Sequence, residues 1–169
     1  ALPIFGPALT HTGLGQTGLS QLISQLSQKT FQGNALFLSQ NQLTDDQTLP
    51  LLKALKHDQS IKHLILSRNQ LTTFAMAGLA DLLKVNHDIG WVILSNNKLG
   101  DNGVTKLAEA LKSNTGVKHL ILDHNFVGNA GAIALAEAIQ HHSGIEYISI
   151  KVLFREYLII KSTHFFSLY

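Results

Sequence analysis

Cysteine is absent from the 169 residues. This excludes a disulfide scaffold, a cysteine-ligated zinc site and a thiol nucleophile, and it fits a reducing compartment. Charge is scarce. Asp, Glu, Lys and Arg make up 14% of the chain, against about 25% in an average domain. Thirteen basic and eleven acidic residues leave a formal charge of +2, which makes no case for nucleic acid or a membrane surface as partner. Nine His would raise the charge in acid, but that count alone implies no pH-sensing role. No apolar run is long enough to span a bilayer. Residues 1–28 carry none of the four charged types, yet Pro3, Pro7, Gly13, Gly15 and many Gln, Ser and Thr interrupt them. They also lack the basic start and compact apolar centre of a secretory signal. Ala1 stands where an initiator Met would, which reads as a fragment or a processed chain. No phosphate-cradling Gly loop, Walker-type Lys or dinucleotide fingerprint occurs.

What is present is a hydrophobic fraction of 45%, enough to bury a core, and it is arranged periodically. Ala35-Leu36-Phe37-Leu38-Ser39-Gln40-Asn41 aligns with His63-Leu64-Ile65-Leu66-Ser67-Arg68-Asn69. Trp91-Val92-Ile93-Leu94-Ser95-Asn96-Asn97 and His119-Leu120-Ile121-Leu122-Asp123-His124-Asn125 continue the series. The Asn residues at 41, 69, 97 and 125 are 28 apart each time. Two weaker copies flank these, at Leu9 to Leu14 with Thr12 in the Asn slot, and at Ile145 to Ile150. Past the last copy, Leu153 and Arg155 break the pattern.

The second half of each unit has helical spacing. Gly103, Leu107, Ala108, Ala110 and Leu111 recur as Gly131, Leu135, Ala136, Ala138 and Ile139, and steps of three and four place them on one stripe. Asp101 and Asn129 are positioned to cap their own helices, and Thr72 or Thr73 the one after Asn69. Pro50 is tolerated best in a first turn, so the helix after Asn41 is expected to start near residues 47–49. Asn86-His87-Asp88, Asn114-Thr115-Gly116 and Ser143-Gly144 read as return turns, and His141-His142 as a helix end.

A strand and a helix per unit cannot bury their own apolar face, so neighbouring units must stack. Leu36/Leu38, Leu64/Leu66, Val92/Leu94 and Leu120/Leu122 are expected between the layers. The Asn column, at Asn41, Asn69, Asn97 and Asn125, is expected to pair loop backbone groups that would otherwise be buried unsatisfied.

These units resemble leucine-rich repeats, Leu-x-x-Leu-x-Leu-x-x-Asn-x-Leu. The length near 28 and the Gly-x-x-x-Leu-Ala-x-Ala-Leu continuation resemble the ribonuclease-inhibitor-like class. That likeness implies an α/β fold: a right-handed horseshoe with parallel strands on the concave face and helices on the convex face. It assigns residues 1–150 to about six repeats and residues 151–169 to a C-terminal cap or irregular tail. The absence of Cys and the slight basic charge set the chain apart from the ribonuclease inhibitor itself. The repeats are also similar to those of Ran GTPase-activating proteins, which implies regulation of a small GTPase as the alternative function. Low charge with Gln and Asn in solvent slots resembles leucine-rich repeat effectors injected by bacterial pathogens.

Strand residues alternate sides, so the slots between the buried Leu positions form the concave surface. One row holds Ala35, His63, Trp91, His119 and Tyr147; the next holds Phe37, Ile65, Ile93, Ile121 and Ser149. A third holds Ser39, Ser67, Ser95, Asp123 and Lys151, with Gln40, Arg68, Asn96 and His124 at the strand ends. Trp, Tyr and Arg are the side chains that most often anchor interfaces. The expected function is a non-enzymatic module that docks a protein partner through Phe37, His63, Ile65, Arg68, Trp91, Ile93, His119, Ile121, Asp123, His124 and Tyr147. Ser95, Asp123 and His124 lie near one another, but consecutive strand residues diverge and no oxyanion donor is suggested. His63 and His119 are two strands apart, too far to share a metal ion. Neither a cofactor nor a metal is expected. The expected setting is cytoplasmic, or a host cell into which a bacterium secretes the protein.

Overall fold

The computed structural model describes residues 9, 13–140, 144–152, 155–161 and 165–168, with side chains described up to Lys151. Thr12, His141, His142, Ser143 and Leu153, on which some expectations fell, lie outside these. Strand, loop and helix alternate along the chain. The helices are α1 (Gly15–Ser27), α2 (Asp45–Leu55), α3 (Thr73–Leu83), α4 (Gly100–Leu111) and α5 (Asn129–Gln140). Between them run β1 (Ala35–Phe37), β2 (His63–Ile65), β3 (Trp91–Ile93) and β4 (His119–Ile121), and β5 (Tyr147–Val152) follows α5. β1 to β5 are parallel and in sequence order. β6 (Arg155–Lys161) and β7 (Phe165–Leu168) then continue the same sheet antiparallel. The result is an open α/β leucine-rich repeat solenoid, one layer of strands and one of helices.

Register follows the repeat. His63 pairs with Trp91 and Trp91 with His119, each one repeat apart. The inner residues Leu36, Leu38, Leu64, Leu66, Val92, Leu94, Leu120 and Leu122 are buried, and they meet the helix stripes in one continuous core. Removing each such Leu from water contributes roughly 2 kcal/mol.

At the ends of β1 to β4 the chain turns sharply. Gln40, Arg68, Asn96 and His124 take φ of 58°, 55°, 58° and 57°, a region that side-chain-bearing residues seldom enter. The sheet ladder runs through three of these positions: Gln40, Arg68 and Asn96 donate their N–H to the carbonyls of Ser67, Ser95 and Asp123. The column Asn then takes up the loop. Asn97 Nδ2 donates to the Leu66 and Leu94 carbonyls at 3.0 and 2.8 Å, and its Oδ1 accepts from Leu71 N–H at 3.1 Å. Asn125 repeats this toward Leu94, Leu122 and Asn97 N–H. Asn69 does so toward Leu38, Leu66 and the N–H groups of Asn41 and Leu43. Asn41 carries the chain of bonds back to Leu9 and Leu14. The buried loops thereby have their backbone groups paired across repeats.

A second ladder lies at the helix-to-strand turns. Asn86 Nδ2 reaches the Leu55 and Asp58 carbonyls, and Asn114 Nδ2 reaches those of Leu83 and Asn86. Each Oδ1 closes its own turn, Asn86 on the N–H of Asp88 and Ile89, Asn114 on those of Gly116 and Val117. Asp58 closes the equivalent turn on Ser60 and Ile61.

Three expectations are corrected. α2 begins at Asp45, not near 47–49. Thr44 and Gln47 form a capping box, with Thr44 N–H on Gln47 Oε1 at 3.0 Å, so Pro50 falls in the second turn. Pro50 and Asp46 are both exposed, so water can take the Asp46 carbonyl that Pro50 leaves unbonded. Asp101 does not cap its own helix α4; its Oδ1 accepts from Gly128 and Gly131 N–H at 2.7 and 2.9 Å, the start of α5. Asn129 is accordingly the first residue of α5 and not its cap. Asp45 serves α3 in the same way, through Thr72 and Ala75 N–H. The ends of these helices are capped from the preceding repeat, where an anionic oxygen also favours the positive helix terminus. Thr72 additionally caps α3 through Phe74 N–H. Asp101→Ala is therefore expected to lower stability by about 1–2 kcal/mol. Hydrogen exchange should show the loss at the first turn of α5; faster exchange confined to α4 would contradict the assignment.

Candidate functional site

The concave surface is built by residues that alternate with the buried Leu column. His63, Trp91, His119 and Tyr147 stand side by side on β2 to β5. Their rings form one run. His63 and Trp91 centroids are 5.7 Å apart and tilted by 44°; Trp91 and His119 are 3.9 Å apart and nearly parallel, at 10°. His119 and Tyr147 follow at 6.4 Å and 33°. The Trp91–His119 stack is worth about 1 kcal/mol beyond burial. His119 Nδ1 is buried and has no hydrogen-bond partner among the described residues, so stacking sets the plane of this ring. Burial, and then the neighbouring His119, hold the His63 pKa below its ordinary value of 6.5, which keeps that imidazole neutral near pH 7. Trp91 remains 37% exposed despite both neighbours.

Beside this run lie Phe37, Ile65, Ile93 and Ile121, all half-buried, packed along the ladder in register. Two slots depart from the expected surface. Ala35 is buried, because a methyl group ends below the longer side chains of its row. Ser149 is buried as well; its hydroxyl donates to the Asp123 carboxylate, 2.8 and 3.0 Å from its two oxygens. Asp123 is thus held within the face. His124 is exposed and takes a positive φ of 57° at the strand end. Arg68 is exposed at the equivalent strand end. Among the described residues, no three His, Asp or Glu side chains are placed to hold a metal ion. No described helix is long and apolar enough to cross a membrane.

One feature of the site escaped the sequence reading. At the C-terminal ends of β3 to β5 a cleft of ≈ 440 Å³ opens, lined by Asn96, Lys98, His124, Phe126 and Lys151 over the Asn ladder. Phe126 is 63% exposed and itself sits at φ 57°. The corresponding slot holds Gln42, Gln70 and Lys98 in earlier repeats. An aromatic replacing Gln and Lys was the available signal.

A family model described as "Leucine Rich repeat" matches residues 92–108 and 113–136. No curated protein matches the chain by sequence. Among solved structures it is similar to "Leiomodin-1 Actin-Binding Site 2 (ABS2)", with a TM-score of 0.76 and 14% identity over 80% of each chain. Repeat, ladder and architecture agree on the fold: an α/β solenoid of the leucine-rich repeat type, with its strands along one face and its helices along the other.

Proposed function

We propose that the protein is a non-enzymatic interaction module that docks a protein partner on the concave face. The observation that carries this is the ring run His63–Trp91–His119–Tyr147, with Trp91 exposed at its centre. A stacked, pre-ordered aromatic surface loses little side-chain entropy on binding and offers large apolar area. Ile65, Ile93 and Ile121 extend that area, while Arg68, His124 and Asp123 supply orientation. Helices in every full unit favour the ribonuclease-inhibitor-like class. The antiparallel strands β6 and β7, which continue the sheet past β5, support a capping role for residues 151–169 beyond an array over residues 1–150.

The test is paired capture from host-cell and bacterial lysates, chosen because the composition is similar to that of injected effectors. Actin joins the candidates, since the similar solved structure is an actin-binding site of leiomodin-1. Wild type is compared with a Trp91→Ala, Tyr147→Ala variant of matched melting temperature. The expected result is a partner held by wild type and lost by the variant. Retention of the same partner by the variant would move the docking surface to the helices or the tail and overturn the proposal.

A further inference from the structure

We propose that the open flank of α5 docks one amphipathic helix of a partner protein, parallel to α5 and with its first turn at Asn129. This surface belongs to the helix layer, so it is independent of docking on the concave face. The first argument is a step between the two layers. Ala132, Ala136 and Ile139 of α5 are half-buried, whereas Val104, Ala108 and Leu111, one repeat earlier, are fully buried in α4, against which α5 packs. The strands meanwhile continue. β6 pairs with β5 so that Ile160 stands opposite Ile148, and Leu158 opposite Ile150. Directly opposed residues share a sheet face, here the face on which Ile148 and Ile150 join the core. Among the described residues no helix follows α5, so an apolar wall and a floor meet where one more helix of the layer would lie. That place continues the interface already formed between α3 and α4 and between α4 and α5.

The second argument identifies the occupant as a helix. Asp45, Thr73, Asp101 and Asn129 hold one slot, 28 residues apart. Each of the first three reaches forward to the start of the next helix. Asp45 accepts from Thr72 and Ala75 N–H, Thr73 donates to the Leu99 carbonyl at 3.1 Å, and Asp101 accepts from Gly128 and Gly131 N–H. Asn129 is exposed, and its side chain makes no hydrogen bond among the described residues. Its amide oxygen is an acceptor of the kind that the orphan N–H groups of a helix start require. The repeat geometry also sets the partner's chemistry. A Cβ on Gly131 would lie 3.2 Å from Asp101 Cα, and one on Gly103 3.5 Å from Thr73 Cα, so the arriving helix needs Gly or Ala in its first turn beside the slot residue. Apolar residues four, seven and eight positions later, as Leu107, Ala110 and Leu111 follow Gly103, form the stripe that meets wall and floor. A second copy stacked end to end does not fit, because the exposed positions of α1 hold Gln, Ser and Thr with Gly15 and would bury little apolar surface.

The experiment uses the full chain and a labelled peptide of about twenty residues, long enough to hold a helix, built on the spacing Gly-x-x-x-Leu-Ala-x-Ala-Leu. A control peptide has the same composition, scrambled so that no stripe forms. Wild type should bind the striped peptide and raise its helicity, read by fluorescence anisotropy and circular dichroism. Ala136→Glu should weaken binding at least about tenfold, and Asn129→Ala about fivefold, the loss of one cap. Should Ala136→Glu fail to fold, Ala132→Gln is read in its place. Trp91→Ala should leave binding unchanged. No binding of the striped peptide, equal binding of the scrambled one, or loss with Trp91→Ala but not with Ala136→Glu would each overturn the inference. Self-association of the chain that Ala136→Glu abolishes would overturn it too, since the flank would then belong to a second copy.

Discussion

Asn97→Ala is expected to lower stability by about 3 kcal/mol. Asn97 is 3% exposed, and its removal strands the Leu71 N–H and takes one of two amide donors from each of the Leu66 and Leu94 carbonyls, which Asn69 and Asn125 still reach. A buried group left unpaired costs about 1–3 kcal/mol, and alanine leaves no room-filling acceptor in its place. For a chain of this size the melting temperature should fall by about 6–12 °C. Asn97→Asp is a sharper comparison. It keeps the acceptor for Leu71 N–H but loses both donors, and it sets a carboxylate against two carbonyl oxygens, so it should be no better than alanine. An unchanged melting curve for Asn97→Ala would remove the ladder from the account of stability.

Gly116→Ala is expected to be at least as damaging. The added Cβ would lie 2.1 Å from the His87 carbonyl oxygen, 2.4 Å from its carbon and 2.8 Å from its Cα. All three are backbone atoms of the preceding repeat's turn, which Asn86 and Asn114 hold in place through Asn114 Nδ2 on the Asn86 carbonyl at 2.9 Å. A flexible side chain could move aside; this turn can do so only by parting the ladder. Overpacking of this kind costs about 3 kcal/mol or more, again visible in thermal melting. Gly100→Ala makes a useful contrast, since a Cβ there meets nothing within 4 Å and only its φ of 61° opposes the substitution. Its loss should be the smaller of the two.

Much of this architecture was legible because equal-length units in parallel register must align slot on slot. The 28-residue spacing of Asn41, Asn69, Asn97 and Asn125 located the strand ends, and the alternation around Leu64 and Leu66 located the buried column. What escaped followed from rules that are local in sequence while the structure pairs across repeats. Asp101 looked like a cap for the helix it opens, yet its carboxylate serves α5, 27 and 30 residues on. Asn86 and Asn114 read only as turn residues, and the 28-residue spacing that they share with Asp58 is the signal of the second ladder. Helix α1 has its stripe in Leu19, Leu22 and Leu26, hidden among Gln and Ser without a charge to mark the polar face. The concave rows could be enumerated from alternation, but alternation says nothing of ring planes: the near-parallel stack of Trp91 on His119 depends on side-chain packing. The cleft beside Phe126 depends on a run of positive φ values after the strands, which Gln, Arg, Asn and His do not announce.

The helix layer ends differently from the strand layer. Ala132, Ala136 and Ile139 of α5 are half-buried, although their counterparts Val104, Ala108 and Leu111 in α4 are fully buried. Ile133 is 59% exposed on the same helix. The described strands run on past β5, whereas α5 is the last described helix.

Trp91 is the only Trp in the chain, so protein labelled with 5-fluorotryptophan has one fluorine resonance, placed at the centre of the proposed docking face. The decisive measurement follows that resonance in the free protein and on addition of the captured partner. A solvent-sensitive signal that shifts or broadens in step with binding is expected. A signal indifferent to solvent, or one that stays unchanged while the partner is demonstrably bound, would contradict docking on the concave face.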